Sequence, residues 1–373
     1  MTDSVRLAQK LIQFPSLNPP GEEKPCADFV ADLLSRNGFN ITRHDFAPNR
    51  PSLVARLPGT SPLVPLCFTG HLDVVPLGNA PWQHPPFEGV IADGRLYGRG
   101  SSDMKAGIAA FISAALAHLR DGAVFRRGLT FVITAGEETG CEGAFDLARK
   151  NALGDCALLI VAEPTSNHPV FAHKGSLRVK VSAKGRTAHS SMPEEGDNAI
   201  TKITTWISRL TQHRFAAEHP LLGRSTAAVT MMGGGQNINS VPDAAWFTAD
   251  FRTLPDHDHA GLLADLAQMF GPEAEIETIT DFKGFATSPE EPATAPLMDL
   301  LTDRLGLRPV PSGAPYFTDA SALVPGFNYA PTIVIGPGEA EQCHKTDEYC
   351  HVARIDEAFD IYHALIQRMC VSA

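Results

Sequence analysis

Acidic and histidine side chains follow a series of apolar runs in this sequence of 373 residues. The segments are TGHLDVVP with His71 and Asp73, GRGSSDMKAG with Asp103, TAGEETG with Glu137 and Glu138, VAEPTSN with Glu163, and EQCHKTDEY with His344. Carboxylates and imidazoles are ligands that hard and borderline divalent cations take, and strand ends hold such ligands in a rigid frame. The series therefore predicts a hydrolase with two metal ions.

His71 and Asp73 lie two residues apart at the end of an apolar run. In a strand, residues i and i+2 share a face. We therefore expect Asp73 to accept the second ring N–H of a metal-bound His71, which would fix the histidine tautomer. Taken alone, a polar strand end without a ligand role explains the pair equally well.

Two further acidic segments each allow two interpretations. Asp103 precedes a predicted helix, where it suits either an N-cap or a carboxylate that bridges two cations. Glu137 and Glu138 follow a buried run, and adjacent carboxylates repel each other unless a cation or a shared proton intervenes. Because successive side chains diverge, one of the pair can bind metal while the other acts as a general base. A solvated acidic pair is the alternative.

The bulk composition narrows the class of protein. The formal net charge is −11 and no run rich in Lys and Arg occurs, which argues against a nucleic-acid partner. No segment approaches the ~20 consecutive apolar residues of a membrane span, and the first residues lack the pattern of a signal peptide. Seven cysteines without disulfide-like spacing indicate a reducing compartment. We therefore expect a cytoplasmic protein without a membrane or nucleic-acid partner.

Strand and helix patterns alternate through the first part of the chain. Apolar runs such as LTFVITA at 129–135 and ALLIVA at 157–162 indicate strands of a sheet that helices cover on both faces. An amphipathic helix is predicted from about Lys105 to Leu119. Open α/β sheets carry their functional sites beyond the carboxyl ends of the strands, which is where the acidic residues lie.

The middle of the chain has a different pattern. SLRVKVSAKG alternates apolar and polar residues, and the segments after it predict the order βαββαβ, a ferredoxin-like arrangement. We predict an inserted domain at residues 171–282. The catalytic domain would be an α/β domain with a mixed sheet, built from residues 1–170 and 283–373, with a buried strand at Pro331–Gly338 and a closing helix at Ile355–Met369.

Taken in order, these motifs resemble those of the M20 family of metallo-aminoacylases and peptidases. GHLDVVP, W-x-x-x-PF-x-G-x-x-x-DGRLYGRGSSDMKAG, GEE, EPT and H-x-x-DEY form the family's series, and they span nearly the whole chain. EPTSNHPVFAHKG, TAHSS, YFTDA and GPG-x-x-x-QCHKTDEY are similar to the acetylornithine deacetylase branch first and to the succinyl-diaminopimelate desuccinylase branch next. The resemblance implies a zinc-exopeptidase-like catalytic domain with an inserted lid and dimerisation domain.

The resemblance also implies a ligand set for two divalent cations per chain, zinc with cobalt or manganese as alternatives. The implied ligands are His71 and Glu163 for one cation, Glu138 and His344 for the other, and Asp103 as the bridge. Asp73 would orient His71, and Glu137 would be the general acid and base. The peptide bond Asp103–Met104 is often cis in the family.

Further implied residues would contact the substrate. His189 would complete the active site of the partner subunit in a homodimer and polarise the scissile carbonyl. Arg252 would clamp a substrate carboxylate with its bidentate fork. The other implied substrate-binding positions are Asn239, Lys174, Thr318, Gly336 and Gly338. Residues 318–323, TDASAL, match neither branch cleanly, which leaves the substrate side chain open.

These expectations describe an amidohydrolase that removes an acetyl or similar group from a small N-acyl amino acid such as N-acetylornithine. Glu137 would serve as general acid and base for an activated water. The alternatives within the family are a succinyl-diaminopimelate desuccinylase and a dipeptidase or carboxypeptidase. A non-catalytic metal-binding or regulatory protein is the alternative from another class, and the complete ligand set argues against it.

Overall fold

A computed structural model describes residues 1–371 of the chain. Its internal contacts divide the chain into two compact units. The first unit comprises Met1–Phe171, Ala286–Ser312 and the described residues from Thr318 onwards, and the second comprises Ala172–Phe285 and Gly313–Phe317. The predicted insertion at 171–282 did not include the segment Gly313–Phe317. That segment belongs with the second unit because the ring of Phe317 packs against Phe282, with 5.2 Å between ring centroids, and no periodicity of sequence reveals such a distant contact.

The helices and strands alternate for most of the chain. Up to His173 they are α1 (Asp3–Ile12), α2 (Lys24–Ser35), β1 (Asn40–Ala47), β2 (Arg50–Leu57), β3 (Leu66–His71), β4 (Val90–Ala92), β5 (Arg95–Tyr97), α3 (Ala106–Arg120), β6 (Leu129–Thr134), α4 (Glu142–Arg149), β7 (Leu158–Val161) and β8 (Val170–His173). The middle contains β9 (Gly175–Lys184), α5 (Ala199–Gln212), β10 (Glu218–His219), β11 (Gly223–Arg224), β12 (Thr226–Gly234), β13 (Ala244–Thr253), α6 (His259–Phe270), β14 (Ala274–Phe282) and β15 (Phe285–Ala286). The remainder contains α7 (Ala295–Leu305), β16 (Ser312–Ala314), α8 (Ala320–Gly326), β17 (Thr332–Val334), β18 (Tyr349–His351) and α9 (Val352–Met369).

The first unit is built on a mixed sheet with the strand order β1–β2–β6–β3–β7–β17. The pairs β1–β2 and β2–β6 are antiparallel, whereas β6, β3, β7 and β17 run parallel to one another. β3, β6 and β7 are buried along their whole length, as expected for strands that are covered on both faces. The carboxyl ends of the four parallel strands therefore meet at one edge of the sheet.

Helix α3 is the central helix of the first unit, and nearly all its residues are buried. α1 and α9 pack against it, and the ring of Phe111 lies 4.9 Å from that of Phe131 on β6. A helix that is apolar all round is characteristic either of a protein core or of a membrane. In the part of the chain that the structure describes, no helix has both the length and the apolar character that crossing a membrane requires.

The second unit contains a four-stranded antiparallel sheet with the order β12–β13–β9–β14. Along the chain the elements follow one another as β9, α5, β12, β13, α6 and β14, with the short hairpin β10–β11 after α5. Alternate residues of β9 and β13 are buried, and their apolar side chains form one core with residues of α5 and α6. The polar residues between them, such as Arg178 and Arg252, are only partly buried.

Candidate metal centre

The five predicted metal ligands all belong to the first unit, and we call them the ligand cluster. His71 ends β3, Glu138 lies in the loop after β6, Glu163 follows β7, His344 lies beyond β17, and Asp103 lies in the turn that leads into α3. The parallel strands bring four of these segments to one edge of the sheet. The peptide bond Asp103–Met104 is cis.

Asp103 occupies the middle of the ligand cluster, because its two oxygens face different histidines. His71 Nε2 lies 3.1 Å from Asp103 Oδ1, and His344 Nε2 lies 3.6 Å from Asp103 Oδ2. Each histidine also approaches a glutamate: His71 Nε2 is 3.9 Å from Glu163 Oε1, and His344 Nε2 is 3.1 Å from Glu138 Oε2. The arrangement is that of two imidazole–carboxylate pairs joined by one carboxylate.

The ligand cluster contains several buried acidic groups close together, and bound positive charge would stabilise their ionised forms. Burial raises the pKa of Glu163 well above its usual range, opposed by His71 and reinforced by Asp103. Burial and the charge of Asp103 raise the pKa of Glu138. Burial also disfavours ionisation of Asp103, but its hydrogen bond and ion pair with His71 hold its pKa below the usual value. Carboxylates crowded in this way are stabilised by bound cations, so the donor set fits two divalent ions that accept oxygen and nitrogen ligands.

The structure corrects the role predicted for the carboxylate of Asp73. His71 Nδ1 lies 2.9 Å from the main-chain oxygen of Asp73 and 3.7 Å from its carboxylate. The carboxylate instead accepts main-chain N–H groups of Gly136 at 2.9 Å and of Glu137 and Glu138 at 3.1 Å each. Three hydrogen bonds from main-chain N–H groups stabilise the carboxylate more than one hydrogen bond from the ring N–H of His71 would. Asp73 therefore orients His71 through its carbonyl and holds the loop after β6 through its carboxylate.

Glu348 and Arg99 form a second anchor that the sequence analysis missed. The buried Glu348 carboxylate accepts main-chain N–H groups of Gly100 at 3.1 Å, Ser102 at 2.8 Å and Asp103 at 3.1 Å. Arg99 donates to the same carboxylate at 2.8 Å. The signal was available in the H-x-x-DEY and GRG motifs, where a buried Glu and Arg accompany metal ligands. This anchor joins the Asp103 turn to the segment that carries His344, another member of the ligand cluster.

Glu137 is adjacent to the ligand cluster but is not one of its five members, and only 8% of its surface is exposed. Burial raises its pKa well above the usual range; His71 opposes the rise, and the carboxylates of Glu163 and Asp319 add to it. The Cys141 thiol lies 3.8 Å from Glu137 Oε1. A buried carboxyl group with a raised pKa beside the ligand cluster suits a general acid and base.

Asp319 is a further buried acid that the sequence analysis passed over within TDASAL. One carboxylate oxygen accepts the hydroxyl of Thr134, the last residue of β6. Burial raises the pKa of Asp319 to about 6. The neighbouring Thr318, a predicted substrate-binding residue, is buried, and its hydroxyl accepts the main-chain N–H of Ala320 at 3.1 Å. The Thr318 hydroxyl therefore holds the first N–H of α8 in this structure.

Gly336 and Gly338, also predicted to contact substrate, permit close packing of loops. A Cβ atom at Gly336 would lie 2.3 Å from the main-chain oxygen of Ala162, and one at Gly338 would lie 2.1 Å from that of Ser102. The two glycines thus allow the segment after β17 to approach the loops that carry Glu163 and Asp103.

In the second unit, His189 and Asn239 lie in two loops that contact each other. His189 and Ser240 form an isolated bridge, and the main-chain oxygen of Asn239 accepts the N–H of Ser190 at 3.0 Å. The side chain of His189 is exposed, and its Nδ1 lies 2.7 Å from the hydroxyl of Ser191. The structure therefore brings together two of the predicted substrate-binding residues of this unit.

Arg252 of β13 is already engaged by an acid of its own strand. Its Nε lies 3.0 Å from Asp250 Oδ1, and Asp250 also pairs with Arg178 of β9 at 2.9 Å. The Arg252 guanidinium lies 5.6 Å from the centre of the Phe317 ring. Lys174 is largely buried and donates to the main-chain oxygen of Arg224 at 2.5 Å, so its ammonium holds the local backbone.

Comparisons with known proteins give the family and the fold of the chain. The model of peptidase family M20/M25/M40 matches residues 67–368. The succinyl-diaminopimelate desuccinylase of Methylobacterium radiotolerans is 32% identical, over 96% of this chain and 95% of its own. A solved M20 family metallo-carboxypeptidase from Sulfolobus solfataricus has a TM-score of 0.82 at 17% identity, over 98% of this chain and 99% of that one. A dinuclear metal-binding peptidase of the M20 family from Bacillus subtilis has a TM-score of 0.72 at 14% identity, over 97% of both chains.

These matches confirm the expected α/β fold and the family. The curated relative has the name of the branch that the sequence analysis placed second, so the acetylornithine branch gains no support over it. The family model covers most of the chain, including all five members of the ligand cluster. The chain therefore belongs to peptidase family M20/M25/M40 and is a metal-dependent hydrolase of that family.

Proposed function

We propose that this hydrolase removes the acyl group from a small N-acyl amino acid. The observation that carries the proposal is the position of Asp103, whose two oxygens face His71 and His344, with the buried Glu137 beside the cluster. A carboxylate between two imidazole–carboxylate pairs suits two cations, and a separate acid suits proton transfer. Metal-assisted hydrolysis of an amide uses both functions.

The ligand cluster would hold two divalent cations, zinc with cobalt or manganese as alternatives. His71 and Glu163 would bind one, Glu138 and His344 the other, and Asp103 both. When bound, the cations would supply Lewis-acid polarisation of the amide carbonyl and lower the pKa of water. Asp73 and Glu348 hold the main chain of the loops that carry these ligands, so the ligands would need little rearrangement on binding.

Glu137 would be the proton carrier of the reaction. As the carboxylate it takes a proton from the attacking water, and as the acid it returns that proton to the nitrogen of the leaving amine. Its burial and neighbouring carboxylates raise its pKa, which favours holding the proton between these two steps. The residue thus ends the cycle in the state in which it began.

The second unit would be a ferredoxin-like lid and dimerisation domain. His189 is exposed and next to the Asn239 loop, so both are free to meet substrate bound to another copy of the chain. Arg252 would bind a substrate carboxylate although Asp250 already neutralises part of its charge. Mixing His189→Ala protein with Glu137→Gln protein tests this arrangement. Activity in the mixture after verified subunit exchange supports composite sites, and none contradicts them.

The acyl group is the finer part of the proposal. The name of the Methylobacterium relative favours succinyl-diaminopimelate, whereas EPTSNHPVFAHKG and TAHSS favour N-acetylornithine. We propose the cytoplasm as the compartment, since all seven cysteines are unpaired.

The decisive experiment for the acyl group measures kcat/KM of metal-loaded protein on N-succinyl, N-acetyl and N-formyl amino acids and on dipeptides. Turnover of any N-acyl amino acid at least about tenfold better than dipeptides supports the proposal.

A dipeptidase or carboxypeptidase is the second candidate. The structural likeness to a metallo-carboxypeptidase supports it, because that neighbour has the same fold over nearly its whole length. Both reactions use the same ligand cluster and the same proton carrier. A dipeptide turned over faster than every N-acyl amino acid would replace our proposal with this one.

A further inference from the structure

Glu137, Cys141 and Asp319 form a buried group beside the ligand cluster, and we call it the acid–thiol cluster. One ligand atom from each of the three residues lies within 4.8 Å of the other two. Cys141 is completely buried, Asp319 is 2% exposed and Glu137 is 8% exposed. None of the three is a member of the ligand cluster.

Asp319 has an oxygen without a partner. Its Oδ2 accepts the hydroxyl of Thr134, whereas its Oδ1 is buried and has no partner at hydrogen-bond geometry among the described residues; the weakly donating Cys141 thiol is the neighbour with which the carboxylate interacts. Buried acceptors are almost always paired, because a buried polar atom without a partner costs free energy. The orphaned atom therefore indicates a group that the protein alone does not supply.

The spacing of the acid–thiol cluster suits a tetrahedral cation. A zinc ion bound to one sulfur at about 2.3 Å and one oxygen at about 2.1 Å holds these two atoms about 3.6 Å apart. The observed distance from Cys141 Sγ to Glu137 Oε1 is 3.8 Å. One thiolate and two carboxylates form a donor set that zinc accepts. The sulfur distinguishes this set from the oxygen and nitrogen ligands of the ligand cluster.

We infer that the acid–thiol cluster is a third cation site, which takes Zn²⁺ or another thiophilic divalent cation and inhibits the enzyme. On binding, the cation gains bonds to Cys141 Sγ and to one oxygen each of Glu137 and Asp319. The Cys141 thiol loses its S–H bond and releases the proton to solvent, and any proton on Glu137 or Asp319 is released with it. The charge of the cation is then met by one thiolate and two carboxylates.

Inhibition follows because Glu137 cannot bind this cation and carry a proton at the same time. This part of the inference rests on the proposed function of Glu137, whereas the binding itself does not. Since a buried thiol must lose its proton, the third site binds more weakly than the ligand cluster. Inhibition should therefore appear only at cation concentrations above those that support activity.

The test uses protein loaded with two equivalents of Zn²⁺ and two probes, Cd²⁺ and further Zn²⁺. Cadmium bound to a thiolate gives an ultraviolet sulfur-to-metal absorption band, which reports binding without any assay of activity. Cys141→Ala should abolish the band and weaken inhibition by either cation about 100-fold or more, since even the loss of an outer contact costs 10–100-fold in affinity. Inhibition is compared with the uninhibited rate of each variant.

Cys343→Ala is the matched control, because Cys343 is the cysteine beside His344. It should keep both the cadmium band and the inhibition. Asp319→Asn is a second probe of the site, and it should weaken the cadmium band and the inhibition in the same way as Cys141→Ala. It keeps the inference testable if Cys141→Ala does not fold. A band that survives Cys141→Ala, or that disappears with Cys343→Ala, would overturn the inference. A cadmium band without any turnover would uphold the site and instead contradict the proposed function.

Discussion

The carboxylate of Glu348 accepts the main-chain N–H of Asp103 at 3.1 Å, so the segment that follows one member of the ligand cluster fixes the backbone of another. The same carboxylate accepts the N–H of Ser102 and a guanidinium N–H of Arg99. The position of the central acid of the ligand cluster thus depends on a residue that would bind no metal itself.

Glu348→Gln should therefore weaken metal binding. The amide presents N–H groups where the carboxylate accepted several hydrogen bonds, so the Asp103 turn loses part of its support. We expect a 10–100-fold loss of affinity for the more weakly bound cation, as is typical for outer contacts of metal ligands. Competition with a chromophoric chelator measures this affinity. Glu339→Gln, an equal change at a partly exposed position nearby, should leave it within about twofold.

Replacement of the two adjacent glutamates should separate proton transfer from metal binding. Glu137→Gln should retain two cations and the fold but lower kcat by several orders of magnitude, because the amide cannot accept the proton of water. Glu138→Gln should retain less metal, which excess metal partly restores. Metal content by elemental analysis and kcat measured on the same samples decide the assignment. Near-normal turnover by the Glu137 variant would refute it.

Asp73→Asn should destabilise the loop after β6. The Asp73 carboxylate accepts three main-chain N–H groups and the side-chain amide of Asn18, at 2.8–3.1 Å. An amide turns an N–H toward at least one of these donors, which costs about 1–3 kcal/mol in the free energy of unfolding. Urea unfolding of the metal-free protein measures this cost. Asn18→Ala leaves the three main-chain contacts intact and should cost less; an equal or larger loss would contradict this account.

Removal of metal should lower thermal stability reversibly. Bound cations offset the repulsion among Asp103, Glu138 and Glu163, and a ligand at 100 times its Kd stabilises the folded state by about 2.7 kcal/mol. We expect chelator to lower Tm by several degrees and to abolish activity, and added zinc to restore both. Calorimetry of chelated and reloaded samples measures the shift. Active protein that contains no divalent metal would contradict the two-metal site.

His173 should make the second unit sensitive to acid. Burial lowers the pKa of His173 to about 4, whereas an unfolded chain has a histidine pKa of about 6.5. As pH falls from about 6.5 towards 4, the unfolded chain takes up a proton that the folded chain does not. The free energy of unfolding should therefore fall by up to about 3 kcal/mol over this interval, and the contribution is fully restored above it.

His173→Asn tests that dependence, because the amide can still donate to the main-chain oxygen of Lys174 as His173 Nδ1 does at 3.0 Å. Urea unfolding at pH 7 and pH 5 should show a smaller fall for this variant than for the original protein. His168→Asn, at an exposed position, should leave the fall unchanged. Equal falls in all three proteins would show that other groups cause it.

Local patterns marked most members of the ligand cluster as candidates, whereas His344 and the division into two cation sites came from the family resemblance. His71 ends an apolar strand and Glu163 follows another, and parallel strands bring such ends together. The anchors could not be predicted in the same way. The contact of Glu348 with Asp103 joins residues 245 positions apart, and it arises from loop packing that leaves no periodicity. Asp73 shows the intermediate case: the spacing identified the residue, but the main-chain donors of another loop determined what its carboxylate binds.

Local patterns also could not show the partners that two cations have within the chain. The family resemblance implied substrate contacts for Lys174 and Arg252, and these contacts stay predictions. In the structure, Lys174 donates to the main-chain oxygen of Arg224, and Arg252 pairs with Asp250. Asp319 could not be identified from the sequence, because no spacing within TDASAL marks a buried acid. Only the fold shows that Asp319 lies near Glu137.

Helix α3 packs against α1 and α9, so its packing cannot be completed during synthesis until α9 has left the ribosome. Helix α3 is complete at Arg120, but its cover from α9 ends only at Met369. The residues of the second unit, which end at Phe317, emerge well before that helix. Because an apolar helix without its cover remains exposed, we expect the segment that contains α3 to need protection from aggregation in the nascent chain until α9 is made.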